Sequence, residues 1–105
     1  LIISGGLNVY PKEVEREIEK IDGIAEAAVF GVPHADFGEA VVAAVLMRSG
    51  QQLAEAGAIR TLKDVLAAFK VPKKLLVLDE LPRNSMGKVQ KNVLRETYRA
   101  LFVRA

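Results

Sequence analysis

The chain has 105 residues, half of them apolar, with 15 Lys and Arg against 13 Asp and Glu and no cysteine. One domain is expected, long enough to bury roughly two-thirds of its unfolded surface around a single core; a disulfide framework and a thiolate metal site are excluded, which agrees with a reducing, cytoplasmic compartment. No apolar run approaches the roughly 20 residues of a membrane-spanning helix, the longest being residues 40–47, so a soluble protein with no membrane role is expected.

In chain order, residues 1–4 read as a short strand ended by Gly5 and Gly6, where the backbone can take positive φ and a ligand can approach closely. Pro11 suits the first position of a helix, Glu13 suits its positive end, and Val14, Ile18 and Ile21 form one apolar stripe before Gly23 stops it. Glu13, Glu15, Glu17 and Glu19, interleaved with Lys12, Arg16 and Lys20, read as the solvated face of that helix. Residues 24–32 and 40–48 are strand-length apolar runs joined by a loop at 33–39, which predicts an antiparallel pair.

Residues 51–69 read as helical, with Ile59, Leu62, Leu66 and Phe69 on one face, Gly57 breaking or delaying the start and Pro72 ending the segment. Residues 75–78 form a third core strand, 79–87 a loop, and 91–102 a final helix with Leu94, Tyr98, Leu101 and Phe102 inward. Strands and helices mix without strict alternation. The expected fold is α+β, a small and largely antiparallel sheet flanked by helices, with residues 1–105 forming one domain. Leu1 is not an initiator methionine and the opening run is apolar where a signal peptide is basic, so the chain is expected to be a piece of a longer polypeptide.

The net charge of +2 divides unevenly: residues 1–50 carry four basic and eight acidic side chains, residues 51–105 eleven and five, giving −4 and +6. A basic half attracts polyanions, whether nucleic acid or a polyphosphate ligand. The segment at 81–91 contains the most pointed candidate. Pro82 and Gly87 mark a loop that continues neither neighbouring element, and it offers Lys88 outward just before a helix. Positive charge near a helix N-terminus is electrostatically unfavourable, so a local cost is tolerated there. Lys91, Arg95 and Arg99, at i, i+4 spacing, read as a surface basic face. A phosphate-binding P-loop is excluded, because Val89 follows Gly87-Lys88 where Ser or Thr is needed and Pro82 stands where the earlier glycine is needed. His34, flanked by Asp36 and Glu39, reads as part of a polar loop; with one histidine and no cysteine, a metal site is not expected.

Two segments carry a family resemblance. The Pro82-to-Lys88 loop resembles the last motif of the adenylate-forming superfamily of acyl-CoA synthetases, luciferases and peptide-synthetase adenylation domains, and residues 2–15, with Ser4-Gly5-Gly6-Leu7, resemble its glycine-rich motif after the interdomain hinge. The likeness covers essentially the whole chain, and within the family residues 31–39 and 69–98 look most like malonyl-CoA synthetases.

The resemblance implies the small C-terminal domain of an acid–thiol ligase, in which Lys88 serves adenylation of a carboxylic acid by ATP and Gly5 and Gly6 line the tunnel for the pantetheine arm of CoA. The two steps alternate by rotation about a hinge before Leu1. It further implies that Phe37 and Phe69 flank the CoA adenine and that Lys73 meets its phosphates, while Val71 replaces an arginine found in some relatives. ATP, Mg2+ and the acid, expected to be malonate, are bound by a large N-terminal domain, so the fragment alone is expected to be inactive. A protein lysine acetyltransferase acting on Lys88 is a further expected partner. The alternatives are a synthetase for another small acid, or a non-catalytic basic module for nucleic acid or protein. The second half lacks a glycine-containing aromatic nucleic-acid signature, so nucleic acid is not expected.

Overall fold

The structure, a computed structural model, describes residues 1–103. In chain order its main elements are β1 (Ile2–Ser4), β2 (Leu7–Val9), α1 (Pro11–Glu19), β3 (Ile24–His34), β4 (Gly38–Met47), α2 (Glu55–Val65), β5 (Lys74–Val77) and α3 (Lys91–Thr97). The long β3–β4 hairpin is the frame. It pairs antiparallel from Ile24 opposite Met47 to His34 opposite Gly38. Its residues are apolar at consecutive positions, where a half-exposed strand would alternate, because helices cover both faces of the sheet. On one face Val14 and Ile18 of α1 and Leu62 of α2 pack with Val29, Val41 and Val45. On the other, Leu94 of α3 and the following Tyr98 and Phe102 pack with Phe30, Val32 and Val42.

The sheet order is β2-β1-β4-β3, with β5 also beside β4. The α+β expectation therefore holds, with one departure from antiparallel pairing: β5 runs parallel to β4, Lys74–Val77 lying opposite Val42–Val45. The sequence reading has no β2. Gly5 and Gly6, at φ +58° and +81°, close a two-residue turn that pairs Ser4 with Leu7, the geometry of a type I′ hairpin.

Two helices are shorter than their periodicity suggests. α2 begins at Glu55, with Gly57 in its first turn, and ends at Val65; Leu66 is already extended at φ −123°, ψ 147°. Phe69 thus leaves the expected helix face for a separate 3-10 turn at Ala68–Lys70. After Thr97 the chain tightens into i+3 turns, Leu101 N–H donating to Tyr98 O, and Phe102 forms a parallel bridge with His34. Docking onto the sheet wins over helix continuation at both ends.

The acidic stripe of α1 is also not simply solvated. β3 is an edge strand, and its outward amides need partners or water. Val29 N–H donates to Glu15 Oε2 at 2.8 Å and Ala27 N–H to Glu19 Oε2 at 3.1 Å. Four helical residues rise about 6 Å and two strand residues about 6.6 Å, so the two spacings match. Pro33, of the same parity, has no N–H to satisfy.

Candidate functional site

The predicted residues fall into two groups at opposite ends of the β3–β4 hairpin. At the turn end is a cavity of about 340 Å3 lined by Gly5, Leu7, Phe37, Phe69, Val71 and Lys73, among others. The β1–β2 hairpin is held there by Gly5 N–H, which donates to Phe37 O at 2.8 Å. Lys73 is placed by its own N–H, which donates to Val41 O at 2.8 Å. Its ammonium lies 4.3 Å from the centre of the Phe37 ring, within cation–π range. Phe69 enters from the 3-10 turn and Val71 supplies a buried apolar wall. Four of the six predicted residues, Gly5, Phe37, Phe69 and Lys73, therefore share one concavity with two aromatic rings and a cation. Such a lining accepts a flat aromatic group carrying negative charge. Gly6 is not among the lining residues; a Cβ built on it meets nothing within 4 Å.

Behind Phe37 stands His34, which sequence reasoning left in a polar loop. It is the last residue of β3, its Nδ1 accepts the Asp36 N–H at 3.1 Å, and its ring lies 4.5 Å from that of Phe37 and 5.4 Å from that of Phe102. Its role is packing against the cavity wall.

Lys88 lies at the other end. Arg83 pairs with Glu26, near the start of β3, through Nη2 and donates through Nη1 to Gly87 O at 3.0 Å. Glu26 and His34 are eight strand steps apart, roughly 26 Å at 3.3 Å per residue, so one rigid domain presents Lys88 and the cavity to different places. The loop is a closed hairpin with an antiparallel bridge between Arg83 and Val89. Gly87 turns the chain at φ +83°. Asn84 braces it from inside, its Oδ1 accepting the N–H groups of Met86 and Lys88 at 2.9 and 3.0 Å. The Lys88 side chain is exposed and has no ion-pair partner among the described residues. Asn84 and Arg83 are the positions the sequence reading missed. The signal was there in part, since Asn at the first and Gly at the fourth position of Asn84-Ser85-Met86-Gly87 is turn chemistry.

Lys91 is not the free surface cation expected. It is half-buried and pairs with Glu15 at 2.7 Å, while Arg99 meets only Glu96 on the exposed face, at 3.6 Å.

A fold with these two presenting ends matches a known domain class. The family model of the AMP-binding enzyme C-terminal domain matches residues 13–88, and the chain belongs to that family. It is 51% identical over 96 residues to the 3-[(3aS,4S,7aS)-7a-methyl-1,5-dioxo-octahydro-1H-inden-4-yl]propanoyl:CoA ligase of Rhodococcus jostii, covering 91% of this chain and 19% of that protein. To the long-chain-fatty-acid–CoA ligase FadD13 of Mycobacterium tuberculosis it is 41% identical over 100 residues, covering 95% and 20%. The crystal structure of apo MatB from Rhodopseudomonas palustris superposes with a TM-score of 0.95 at 57% identity, covering 97% of this chain and 20% of that one. The chain thus spans about a fifth of the length of the curated relatives it matches.

Proposed function

We propose that this chain is the C-terminal domain of an AMP-forming acyl-CoA ligase, preceded by a large domain that binds ATP, Mg2+ and the acid. The names of the relatives, CoA ligases in both cases cited, support the reaction class. The observation that carries the reading is the ammonium of Lys88, without an ion-pair partner among the described residues, on a braced loop at the opposite end of the sheet from the aromatic and cationic cavity. Adenylation brings a carboxylate against the α-phosphate of ATP and expels pyrophosphate, and negative charge grows on the non-bridging oxygens. A cation touching both anions orients them and stabilises that charge. Thioester formation then needs the other end, with the cavity taking the adenine and phosphates of CoA between Phe37, Phe69 and Lys73 and the Gly5-Gly6 turn flanking the pantetheine arm. Rotation of the domain between the two steps follows from the separation of the ends.

The acid is read as malonate from the likeness of residues 31–39 and 69–98 to malonyl-CoA synthetases. The second reading, another acid, is favoured by the relatives themselves, whose names specify a fused-ring propanoate and long-chain fatty acids at 51% and 41% identity. No group in this domain is assigned to the acid's side chain, so the relatives' substrates can vary while this domain stays alike.

The test is Lys88→Ala in the full-length enzyme, with ATP–pyrophosphate exchange measured separately from CoA transfer on preformed acyl-adenylate. Exchange is expected to fall by about 10²–10³-fold, the range for removing one preorganised transition-state contact, with transfer retained. Unchanged exchange would overturn the assignment.

A further inference from the structure

A lysine on a four-carbon stem is a mobile point charge, and its usefulness to a reaction depends on how firmly the backbone beneath it is held. At Lys88 that backbone is fixed almost entirely by one side chain and its own peptide groups. Asn84 Oδ1 accepts the N–H of Lys88 at 3.0 Å and of Met86 at 2.9 Å. The Asn84 N–H donates to Lys88 O at 2.9 Å, and Asn84 O accepts the Gly87 N–H at 2.9 Å. Both peptide groups of Lys88 therefore end on the same residue. From the other side Arg83 holds Gly87 O and reaches Glu26 on β3, so the clamp is tied to the sheet.

The loop is exposed, Met86 at its tip by 90%. Hydrogen bonds made in water add little net stability, so global stability does not account for four of them converging on one turn. Holding a direction does. We infer that Asn84 is a positioning residue for adenylation, fixing the direction from which the Lys88 ammonium enters the active site; the inference rests on the reading of Lys88 given above. The chemistry required of position 84 is a planar oxygen acceptor of this length. Its Nδ2 has no hydrogen-bond partner among the described residues, so an aspartate keeps every contact and an alanine loses two.

The experiment uses the full-length enzyme with Asn84→Ala, Asn84→Asp and Lys88→Ala. ATP–pyrophosphate exchange is measured with whichever of malonate, propanoate, 3-phenylpropanoate and octanoate the wild type activates fastest, alongside CoA transfer on the preformed adenylate of that acid and thermal unfolding. Misplacing a reacting group by about 1 Å costs on the order of 10²-fold. Asn84→Ala is expected to lower kcat for exchange by about that factor, with KM for ATP, CoA transfer and the unfolding midpoint near wild type, and Asn84→Asp is expected to restore most of the rate. Exchange within about twofold of wild type in Asn84→Ala, with Lys88→Ala inactive, would overturn the positioning role alone. Equal loss in both half-reactions would overturn it too, as the mark of a structural defect. Full exchange in Lys88→Ala would remove the underlying reading as well.

Discussion

Lys88 and Lys91 stand three residues apart and face opposite surroundings. Lys91 is held at 2.7 Å by a carboxylate that also accepts the Val29 amide, so neutralising it leaves Glu15 without its cation. Lys88 has no such partner among the described residues, and its acetylation would remove a charge at no cost to the fold. Treatment of the full-length enzyme with a lysine acetyltransferase and acetyl-CoA is therefore expected to give acetyl-Lys88 and leave Lys91 unmodified, with exchange activity lost in proportion. Tandem mass spectrometry reads both sites at once, and preferential modification of Lys91 would contradict the argument. Lys73 shows a third situation, a cation parked over the Phe37 ring, which no spacing rule predicts because residues 37 and 73 meet only through the β4–β5 pairing.

Among the elements, the edge of β3 turns on a pair of carboxylates. Glu15 serves a buried amide and a half-buried ammonium together, linking α1 on one face of the sheet to α3 on the other. Glu15→Ala strands the Val29 N–H, a loss of about 1–3 kcal/mol for an unsatisfied buried donor; Glu15→Gln keeps an acceptor and is expected to lose less. Urea unfolding of the chain measures both, and an alanine variant within about 0.5 kcal/mol of wild type, the scatter of ordinary surface changes, would show that water replaces the carboxylate freely. This pairing was invisible in the sequence, where Glu13 to Glu19 look like any charged helix face. What was legible shares a cause. The β3–β4 hairpin and α1 are long, strongly patterned and punctuated by Pro11 and Gly23, so local chemistry and tertiary structure agree. β2 has three residues, too few for a pattern, and the ends of α2 and α3 are decided by what Phe69 and Phe102 pack against. Of the candidate site, Lys88 was readable from its motif. The convergence of Gly5, Phe37, Phe69 and Lys73 was named only through a family likeness, since they come from four separate stretches of chain.

At the scale of the whole molecule, the acidic first half and basic second half fold onto each other. Glu13 pairs with Lys70, Glu15 with Lys91 and Glu26 with Arg83, so part of the charge asymmetry is internal complementarity instead of a patch for nucleic acid. Lys88 and Lys73 lie at the two ends, and the two-step proposal requires that damage at one end spare the other. Gly6 tests this cleanly because two explanations of it diverge. If Gly6 matters only for its positive φ, Asn, which tolerates that region, should replace it while Leu should not. If the turn borders a passage for the pantetheine arm, both side chains obstruct it, since a Cβ at Gly6 meets nothing within 4 Å among the described residues of this domain. Gly6→Asn and Gly6→Leu in the full-length enzyme are both expected to keep ATP–pyrophosphate exchange within a few-fold of wild type. CoA transfer is expected to fall by on the order of 10²-fold, the penalty for a reactant held slightly out of place. Rescue of transfer by Asn alone would reduce Gly6 to a turn residue, and loss of exchange in either variant would mean that the two ends are not independent.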